Sequence, residues 1–515
     1  MTLTESTAGS TSGGPTRHLE LERKYDVPDE AVSPSFEGLA AVARVETLPV
    51  QSLDAVYFDT ADHALAARRV TLRRRSGGPD AGWHLKLPPG PGADREARTE
   101  VRAPLDAGGA AAGPPEELLD VVRAIVRDRP LMPVARIATT RGTAVLRGTD
   151  GTALAEFCDD RVRAHTIDPV DGSTGTEENW REWELELTDP DTDDPSGLLT
   201  RLGNRLADAG ARPAGHGSKL ARVLGAAVPQ RPAPPRDPVH RAVAGQIERL
   251  LEWDRGVRAD ADDAVHQMRV ATRQIRSLLQ ASEDAFGLTD DAWILGELRE
   301  LAAVLGVARD AEVLAARYHQ ALEALPPHLV RGPIRDRLVG GARRRYEAGL
   351  RRSVSAMRSE RYFRLLDALD ALVVAQPPAP DSAAGHPPAS ISSSYRRVRN
   401  ATKTAKEAAE TNRDDALHRI RKAAKRLRYV AAATGDTEVA ERSKVIQSLL
   451  GDHQDSVVSR AHLMQQAETA HAAGEDTFTY GLLFQQEADL ARVCREQLDG
   501  ALKTLRRSVR RARRH

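Results

Sequence analysis

HLELERKY, His18 to Tyr25, alternates without a break: Leu19, Leu21, Arg23 and Tyr25 fall on one side of an extended chain, and Glu20, Glu22 and Lys24 on the other. Side chains two apart on a strand share a face, so two carboxylates and an ammonium line one surface. Taken alone, the octapeptide reads as a half-buried strand with its charges in water. Whether that reading holds depends on what the other strands do with their charges.

They follow a rule. Arg73 and Arg75 share a face in TLRRRS, His84 and Lys86 in WHLKLP, and Arg98, Glu100 and Arg102 in ARTEVRAP. Glu156 and Asp160 share one in AEFCDD; Glu182, Glu184 and Glu186 share one in REWELELTD, whose other face is Trp183, Leu185 and Leu187. Nearly every strand has one ionic face, and the signs are segregated by strand. Closed into a barrel with those faces inward, the strands would enclose clustered Arg and Lys beside clustered Glu. Cations packed that way imply a polyanion, and carboxylate pairs beside a polyanion imply a divalent cation between them. Mg2+ and Mn2+ suit such a place, since both prefer oxygen ligands and are held by one or two carboxylates plus phosphate oxygens. A phosphoanhydride has the right charge, and its hydrolysis is mainly a matter of positioning and charge neutralisation. The chain contains no Walker GxxxxGK[ST], no CxxC pair and no Ser/His/Asp set that would point elsewhere.

At 515 residues the chain exceeds a single core and predicts two or three domains. Its formal net charge of zero hides a division. Residues 1–230 carry 27 Lys+Arg against 36 Asp+Glu, and the remainder carries 74−27=47 against 74−36=38. An acidic first part and a basic second part predict different ligands or a mutual contact. Cys158 and Cys494 are the only cysteines, which fits a reducing compartment without a disulfide framework. Residues 1–16 lack an apolar core and a basic n-region, so they read as a disordered lead, not a signal peptide. No apolar run reaches the roughly 18 residues of a membrane span, so a soluble cytoplasmic protein is expected. Strand signals fill 17–226, interrupted by helical stretches at Pro115–Val126 and GLLTRLGNRLADAG. A Pro-rich linker, 227–239, precedes a helical region at 240–505, itself divided into 240–374 and 391–505 by a loose loop, 375–390; a basic tail, 506–515, follows.

In the first part, the Glu20-x-Glu22-x-Lys24 start, YFDT at Tyr57, LRRR at Leu72, LKLP at Leu85, RTE at Arg98, ELE at Glu184 and GSK at Gly217 occur in family order. This set resembles a CYTH domain, a member of the triphosphate tunnel metalloenzymes. The resemblance implies an antiparallel β-barrel of eight strands with flanking helices (α+β). Such a tunnel binds a triphosphate with Arg and Lys and one or two divalent metals with Glu. Carried over, Glu20 and Glu22 are metal ligands or water-positioning carboxylates, with Glu184 and Glu186 closing the metal site and Asp160 beside it. Lys24, Arg73, Arg75, Lys86 and Lys219 clamp phosphates, and Arg98 and Glu100 line the wall. Arg136 and Arg141 are further phosphate candidates, but their parity is opposite, so without a bulge only one faces inward. Asp159 is expected in a turn.

The helical region contains a repeat. VHQMRVATRQIRSLL and LHRIRKAAKRLRYVA align His266 with His418, Arg269 with Arg421, Arg273 with Lys425 and Arg276 with Arg428; VLGVARDAEVL and LLGDHQDSVVS align Gly306-x3-Asp310 with Gly451-x3-Asp455. Each first segment places its charges at 0, +3, +7 and +10, one narrow stripe on a helix, with Lys422 alongside in the second copy. Like charges at i,i+4 cost helix stability, and neither stripe has a compensating carboxylate. HxxRVxxRxxRS, HxxRKxxKRLRY, LGxxRD and LGxHQD together resemble a CHAD domain. That resemblance implies an all-α pair of four-helix bundles related by a pseudo-twofold axis, which binds inorganic polyphosphate and associates with polyphosphate granules. The two stripes are the polyphosphate-binding candidates.

The two resemblances combine into one expectation: a metal-dependent triphosphatase, acting on inorganic triphosphate or another short triphosphate with Mg2+ or Mn2+, joined to a polyphosphate-binding module. The alternative is a non-catalytic, granule-associated scaffold in which both parts bind polyphosphate. Sequence-specific nucleic-acid binding is not expected, because few aromatics are interleaved with the basic runs.

Overall fold

The computed structural model describes residues 16–89, 97–108, 113–189, 194–230, 237–281, 292–374, 391–409 and 412–512, together with Thr192, Pro235 and Phe286. The expected N-terminal lead, apart from Thr16, the loop 375–390 and part of the linker lie outside these residues.

The strands are β1 Thr16–Val27, β2 Arg44–Thr47, β3 Gln51–Asp59, β4 Thr71–Ser76, β5 Gly82–Leu87, β6 Ala97–Ala103, β7 Met132–Arg147, β8 Ala153–Thr166, β9 Glu178–Leu187 and β10 Arg212–Pro213. The long β1 joins two edges. Its Thr16–Leu21 segment pairs with β6 and its Glu22–Val27 segment with β9. The order β1-β6-β5-β4-β3-β7-β8-β9 therefore returns to β1 and closes eight antiparallel strands into a barrel, with β2 and β10 off the ring. Closure leaves no unpaired edge on the ring. It also fixes the inside, because cross-strand neighbours share a face. At the β4–β5 turn Gly77 has φ 79°, and a Cβ there would lie 2.1 Å from the Ser52 carbonyl oxygen, so only glycine fits the turn.

The barrel's outer face is apolar in two patches, each covered by helices. On β4–β6, Leu72, Trp83, Leu85 and Val101 are buried against Leu65 of α1 (Ala64–Ala67) and Leu118, Val122 and Ile125 of α2 (Glu116–Val126). On β8–β9, Phe157, Trp183 and Leu185 are buried against Leu198, Leu199, Leu202 and Leu206 of α3 (Pro195–Asp208). Those α3 leucines recur at helical spacing, and Asp194 caps the helix by accepting from Gly197 N.

A third helix, α4 (Lys219–Leu224), packs against the inner face. Its Leu220, Val223 and Leu224 share a core with inward-facing Ala55, Tyr57, Ala135, Ile137, Val162 and Trp180. Ser218 caps α4 by accepting from Ala221 N, which fixes Lys219 as the first helical residue.

Beyond Asp237, which caps the next helix by accepting from His240 N, the chain is helical: α5 Pro238–Arg258, α6 Ala264–Ala281, α7 Trp293–Glu323, α8 Gly341–Ala356, α9 Glu360–Val374, α10 Ile391–Glu407, α11 Arg413–Ala433, α12 Thr437–Ala472 and α13 Phe478–Ala512. The described part of the basic tail is thus the end of α13. Two compact units divide the chain: 1–282, 290–301 and 354–375 in one, and 283–289, 302–353 and 376–515 in the other. The first unit holds the barrel together with α5, α6, the opening turns of α7, and α9. There Arg127, after α2, pairs with Asp367 and Asp370 of α9 at 3.3 and 2.8 Å, and Arg258 of α5 lies 3.5 Å from Asp120 of α2. In the second unit α10–α13 surround a core of Val398, Ile420, Leu427, Ile446, Leu450, Leu498 and Leu505. No helix among the described residues is long and apolar enough to cross a membrane.

Candidate active site

Strand register sorts the inside of the barrel into levels. Glu22 of β1, Glu186 of β9 and Glu156 of β8 stand opposite one another at one level; Lys24, Glu184 and Cys158 at the next; Asp26, Glu182 and Asp160 at the third. Arg141 of β7 faces Asp160. On the other wall Glu20 faces Arg98, Lys86 faces Glu100, and Arg73 faces both His84 and Tyr57.

The second and third levels are neutralised by the protein itself. Oxygens of Asp160, Glu182 and Glu184 lie within 4.8 Å of one another, forming a buried acidic cluster. Lys219 Nζ enters it, 2.8 Å from Asp160, 2.6 Å from Glu182 and 2.8 Å from Glu184. Arg141 donates two hydrogen bonds to Asp160, at 2.7 and 2.6 Å, and one to Glu184 at 2.6 Å, while Lys24 lies 2.5 Å from Glu184. Burial opposes ionisation of Glu184, but Lys219, Lys24 and Arg141 overcome it and hold its pKa well below the carboxylate range. Three carboxylates meet three cations, and a divalent ion here would have to displace Lys219.

The opposite wall is cation-rich. Lys86 Nζ lies 2.6 Å from Glu20, 3.8 Å from Glu22 and 3.9 Å from Glu100. Arg98 Nε lies 3.6 Å from Glu22, and Arg98 also donates to the Gly217 carbonyl at 2.9 Å. Burial opposes the ionised Glu22, yet Lys24 and Lys86 hold its carboxyl down at about 2. Glu100 is gripped by His84 at 3.0 Å, by Arg102, and by Arg73 at 3.9 Å. Arg73 also donates to the Tyr57 hydroxyl at 3.3 Å. Arg75 is buried and paired with Asp80 of the β4–β5 turn.

Glu186, half-buried, differs from the buried acids of the barrel. Among the described residues it makes no hydrogen bond or ion pair. Burial, opposed by Lys86 and helped by Glu20, Glu22 and Glu184, pushes its carboxyl up to about 7. Like charges directly opposite destabilise a sheet. In the Glu22–Glu186–Glu156 row Glu22 is matched by Lys24, Lys86 and Arg98 and Glu156 is exposed, which leaves Glu186 as the lumen acid without an ion pair.

The basic stripes of the helical region occupy different units. On α6 His266, Arg269 and Arg276 are half-buried and Arg273 is exposed, while Met268, Ile275 and Leu279 form the buried side. On α11 His418, Arg421, Lys425 and Arg428 are half-buried and Lys422 is exposed. Arg421 lies flat on α12: a Cβ at Gly451 would come within 3.3 Å of its Nη2. Arg428 donates to Gln447 at 3.1 Å. Burial, with Lys422 and Arg421 nearby, lowers the His418 pKa, which keeps that ring neutral at neutral pH.

Comparison with known proteins agrees with this geometry. Residues 18–207 match the CYTH domain and residues 241–464 the CHAD domain. The chain belongs to the CYTH and CHAD families. It is 63% identical over 513 residues to the uncharacterized protein Rv2226 of Mycobacterium tuberculosis, covering 97% of this chain and 98% of that one. Among solved structures, PptA from Streptomyces chartreusis is similar over 53% of this chain and 100% of its own, at 19% identity and TM-score 0.44. The CHAD domain of Ricinus communis is similar over 52% of this chain and 90% of its own, at 23% identity and TM-score 0.39.

The CYTH barrel brings Glu20, Glu22, Lys24, Arg73, Arg75, Lys86, Arg98, Arg141, Asp160, Glu184, Glu186 and Lys219 into one lumen. Arg136 is a correction: it projects from the outer face, 55% exposed, and pairs with Asp54 at 2.6 Å. The register shift between β3 and β7 lies at Tyr57/Phe58, where Val134 of β7 is skipped, beyond the Val56–Arg136 pair, so parity puts Arg141 inside and Arg136 outside. Asp159 is also not in a turn but on the outer face of β8, paired with Arg181 at 2.6 Å. Tyr57 and Glu182 carry roles that the motifs did not assign. The shared face of Glu182 with Glu184 was visible, whereas the Tyr57–Arg73 contact depends on cross-strand register. Among the described residues Asp160, Glu182 and Glu184 are the acids whose oxygens lie close enough together to share an ion, and Lys219 already sits among them. Glu20 and Glu22 are paired with Lys86 and Lys24, and Glu186 makes no ion pair.

Proposed function

We propose that the CYTH domain hydrolyses inorganic triphosphate, or another short triphosphate, with Mg2+ or Mn2+, and that the CHAD domain binds inorganic polyphosphate. The observation that carries the first reading is that Glu186, which makes no ion pair among the described residues, stands opposite Glu22 in the same lumen as Lys86, Arg73 and Arg98. Glu20, Glu22 and Glu186 would hold the ion, whose chemistry when bound is to neutralise phosphate oxygens and lower the pKa of bound water. Lys86, Arg73, Arg98 and Lys24 orient the triphosphate and offset charge on its non-bridging oxygens. A lumen carboxylate positions a water and accepts its proton. The water oxygen bonds to the terminal phosphorus, the bridging P–O bond breaks, and phosphate and pyrophosphate leave.

Support for the second reading is the pair of half-buried, like-charged stripes on α6 and α11, which suit an extended anion. Binding there would place the chain on polyphosphate granules. One observation favours a scaffold instead: Lys219 already fills the acidic cluster that could otherwise take a metal. The two separate in one experiment. Phosphate release from tripolyphosphate, thiamine triphosphate, ATP and long-chain polyphosphate is measured with Mg2+, Mn2+ or chelator, in parallel with Glu20→Gln/Glu22→Gln. Metal-dependent release that vanishes in the variant is expected. Tight polyphosphate binding with no turnover of any substrate leaves only the scaffold.

A further inference from the structure

A different surface of the helical region carries charge for which the two stripes do not account. In the second compact unit, α10 and α13 pack through Val398 and Ala405 on one helix and Leu502, Leu505 and Val509 on the other. The faces turned away from that core expose Arg396, Arg397 and Arg399 on α10 and Arg506, Arg507 and Arg510 on α13. None of these six guanidiniums makes an ion pair among the described residues. Some other exposed arginines of the same unit find carboxylates, Arg335 with Glu323 at 2.8 Å, Arg344 with Asp336 at 3.2 Å, Arg492 with Glu496 at 3.0 Å and Arg511 with Glu438 at 2.7 Å, while Arg343, Arg351, Arg352 and Arg442 are exposed without an ion pair among the described residues.

Local helix energetics do not explain the six. Arg396 and Arg399 are three apart, Arg506 and Arg510 four apart, and Arg507 and Arg510 three apart, and each such like-charged pair costs a few tenths of a kcal/mol. The faces are solvent-exposed and contain no aromatic ring among these positions, so they offer neither a groove nor a stacking platform. A flexible single chain would lose conformational freedom on an open surface without walls to hold it. A rigid polyanion arrives with its phosphates already ordered and releases condensed counterions when they are neutralised. Guanidinium suits such phosphates through its bidentate fork.

We propose that the exposed faces of α10 and α13 dock duplex nucleic acid through its phosphate backbone, without reading base sequence. This surface is separate from the α6 and α11 stripes, and the proposal does not rest on the triphosphatase reading. Binding of the full chain to a labelled short duplex of random sequence is followed by fluorescence anisotropy across a salt series. The comparison uses Arg396→Glu/Arg399→Glu and Arg506→Glu/Arg510→Glu, each checked for an unchanged thermal unfolding midpoint. The expected result is equal affinity for A·T-rich and G·C-rich duplexes, falling steeply with salt. Each double variant should weaken binding tenfold or more at low salt and flatten the log–log salt slope by about 0.9 for each phosphate that is no longer neutralised. Two results would overturn the proposal: no duplex binding at low salt, or unchanged binding in both variants.

Discussion

Lys219 Nζ lies 2.8 Å from Asp160 Oδ2, and both groups are almost completely withdrawn from water. The lysine belongs to α4 and the aspartate to the middle of β8, so the contact ties the inner helix to the barrel wall. It also accounts for the acidic cluster: burial disfavours the ionised Asp160 and Glu184, and the ammonium of Lys219 among them holds both carboxyls down.

Replacing Lys219 with Met should therefore leave an uncompensated buried acid cluster. Removing one partner of a buried ion pair costs about 3–5 kcal/mol, so a loss of that order in urea unfolding is expected. The same variant opens the cluster to divalent ions. Mn2+ should raise its unfolding midpoint more than that of the parent, and an equal rise in both would argue against Lys219 as the internal cation.

Arg141 and Arg136 provide an inside–outside control on one strand. Arg141→Ala removes a buried guanidinium that bonds Asp160 and Glu184, and should weaken tripolyphosphate binding and lower stability by about 3 kcal/mol. Arg136→Ala removes an exposed pair and should leave tripolyphosphate affinity unchanged, with a stability effect under about 1 kcal/mol. Isothermal titration of both variants checks the assignment, and equal losses of affinity would refute it.

Strand alternation made the lumen legible because period two is rigid: once Glu20 and Glu22 face inward, Lys24 must follow, and the ELE of β9 obeys the same rule. What alternation could not supply was the match between strands. The Tyr57–Arg73 contact and the Glu22–Glu186–Glu156 row come from register over long sequence separations. KLARVL was equally opaque. Its six residues show no long amphipathic pattern, yet Leu220, Val223 and Leu224 complete an inner core and place Lys219. In the helical region the repeat was legible from its charges, but the division of the first copy between two compact units was not, since α7 runs through the boundary as one continuous pattern.

His462 supplies a pH test in the helical region. Its Nε2 faces Arg345, which can only donate, so the ring proton resides on Nδ1 and is donated to the Tyr318 hydroxyl at 2.8 Å. Burial, assisted by Arg345, lowers its pKa to about 4. A histidine depressed in the folded state binds its proton more readily when unfolded, so stability falls as pH drops from about 6.5 towards 4. At pH 5 this amounts to about 2 kcal/mol. His462→Gln keeps an acceptor for Arg345 and a donor for Tyr318. It should match the parent at pH 7 and exceed it at pH 5 in urea unfolding; parallel pH profiles would contradict the neutral-histidine assignment.

Arg127 tests the seam inside the first compact unit. It is 4% exposed, holds φ at 62°, and pairs with Asp367 and Asp370 of α9. Two opposing effects meet at this residue. The ion pairs stabilise the docking of α9 beside the barrel's α2, but a side chain at positive φ costs roughly 1–3 kcal/mol of backbone strain. Arg127→Ala loses the pairs and keeps the strain, whereas Arg127→Gly loses the pairs and relieves it. Asp367 is exposed and Asp370 half-exposed, so both can rehydrate and the alanine variant should lose only about 1–2 kcal/mol. The glycine variant should be the more stable of the two by about 1 kcal/mol. A double-mutant cycle with Asp370→Ala, followed by thermal unfolding, isolates the pairing, and a coupling near zero would show that packing alone holds α9 in place.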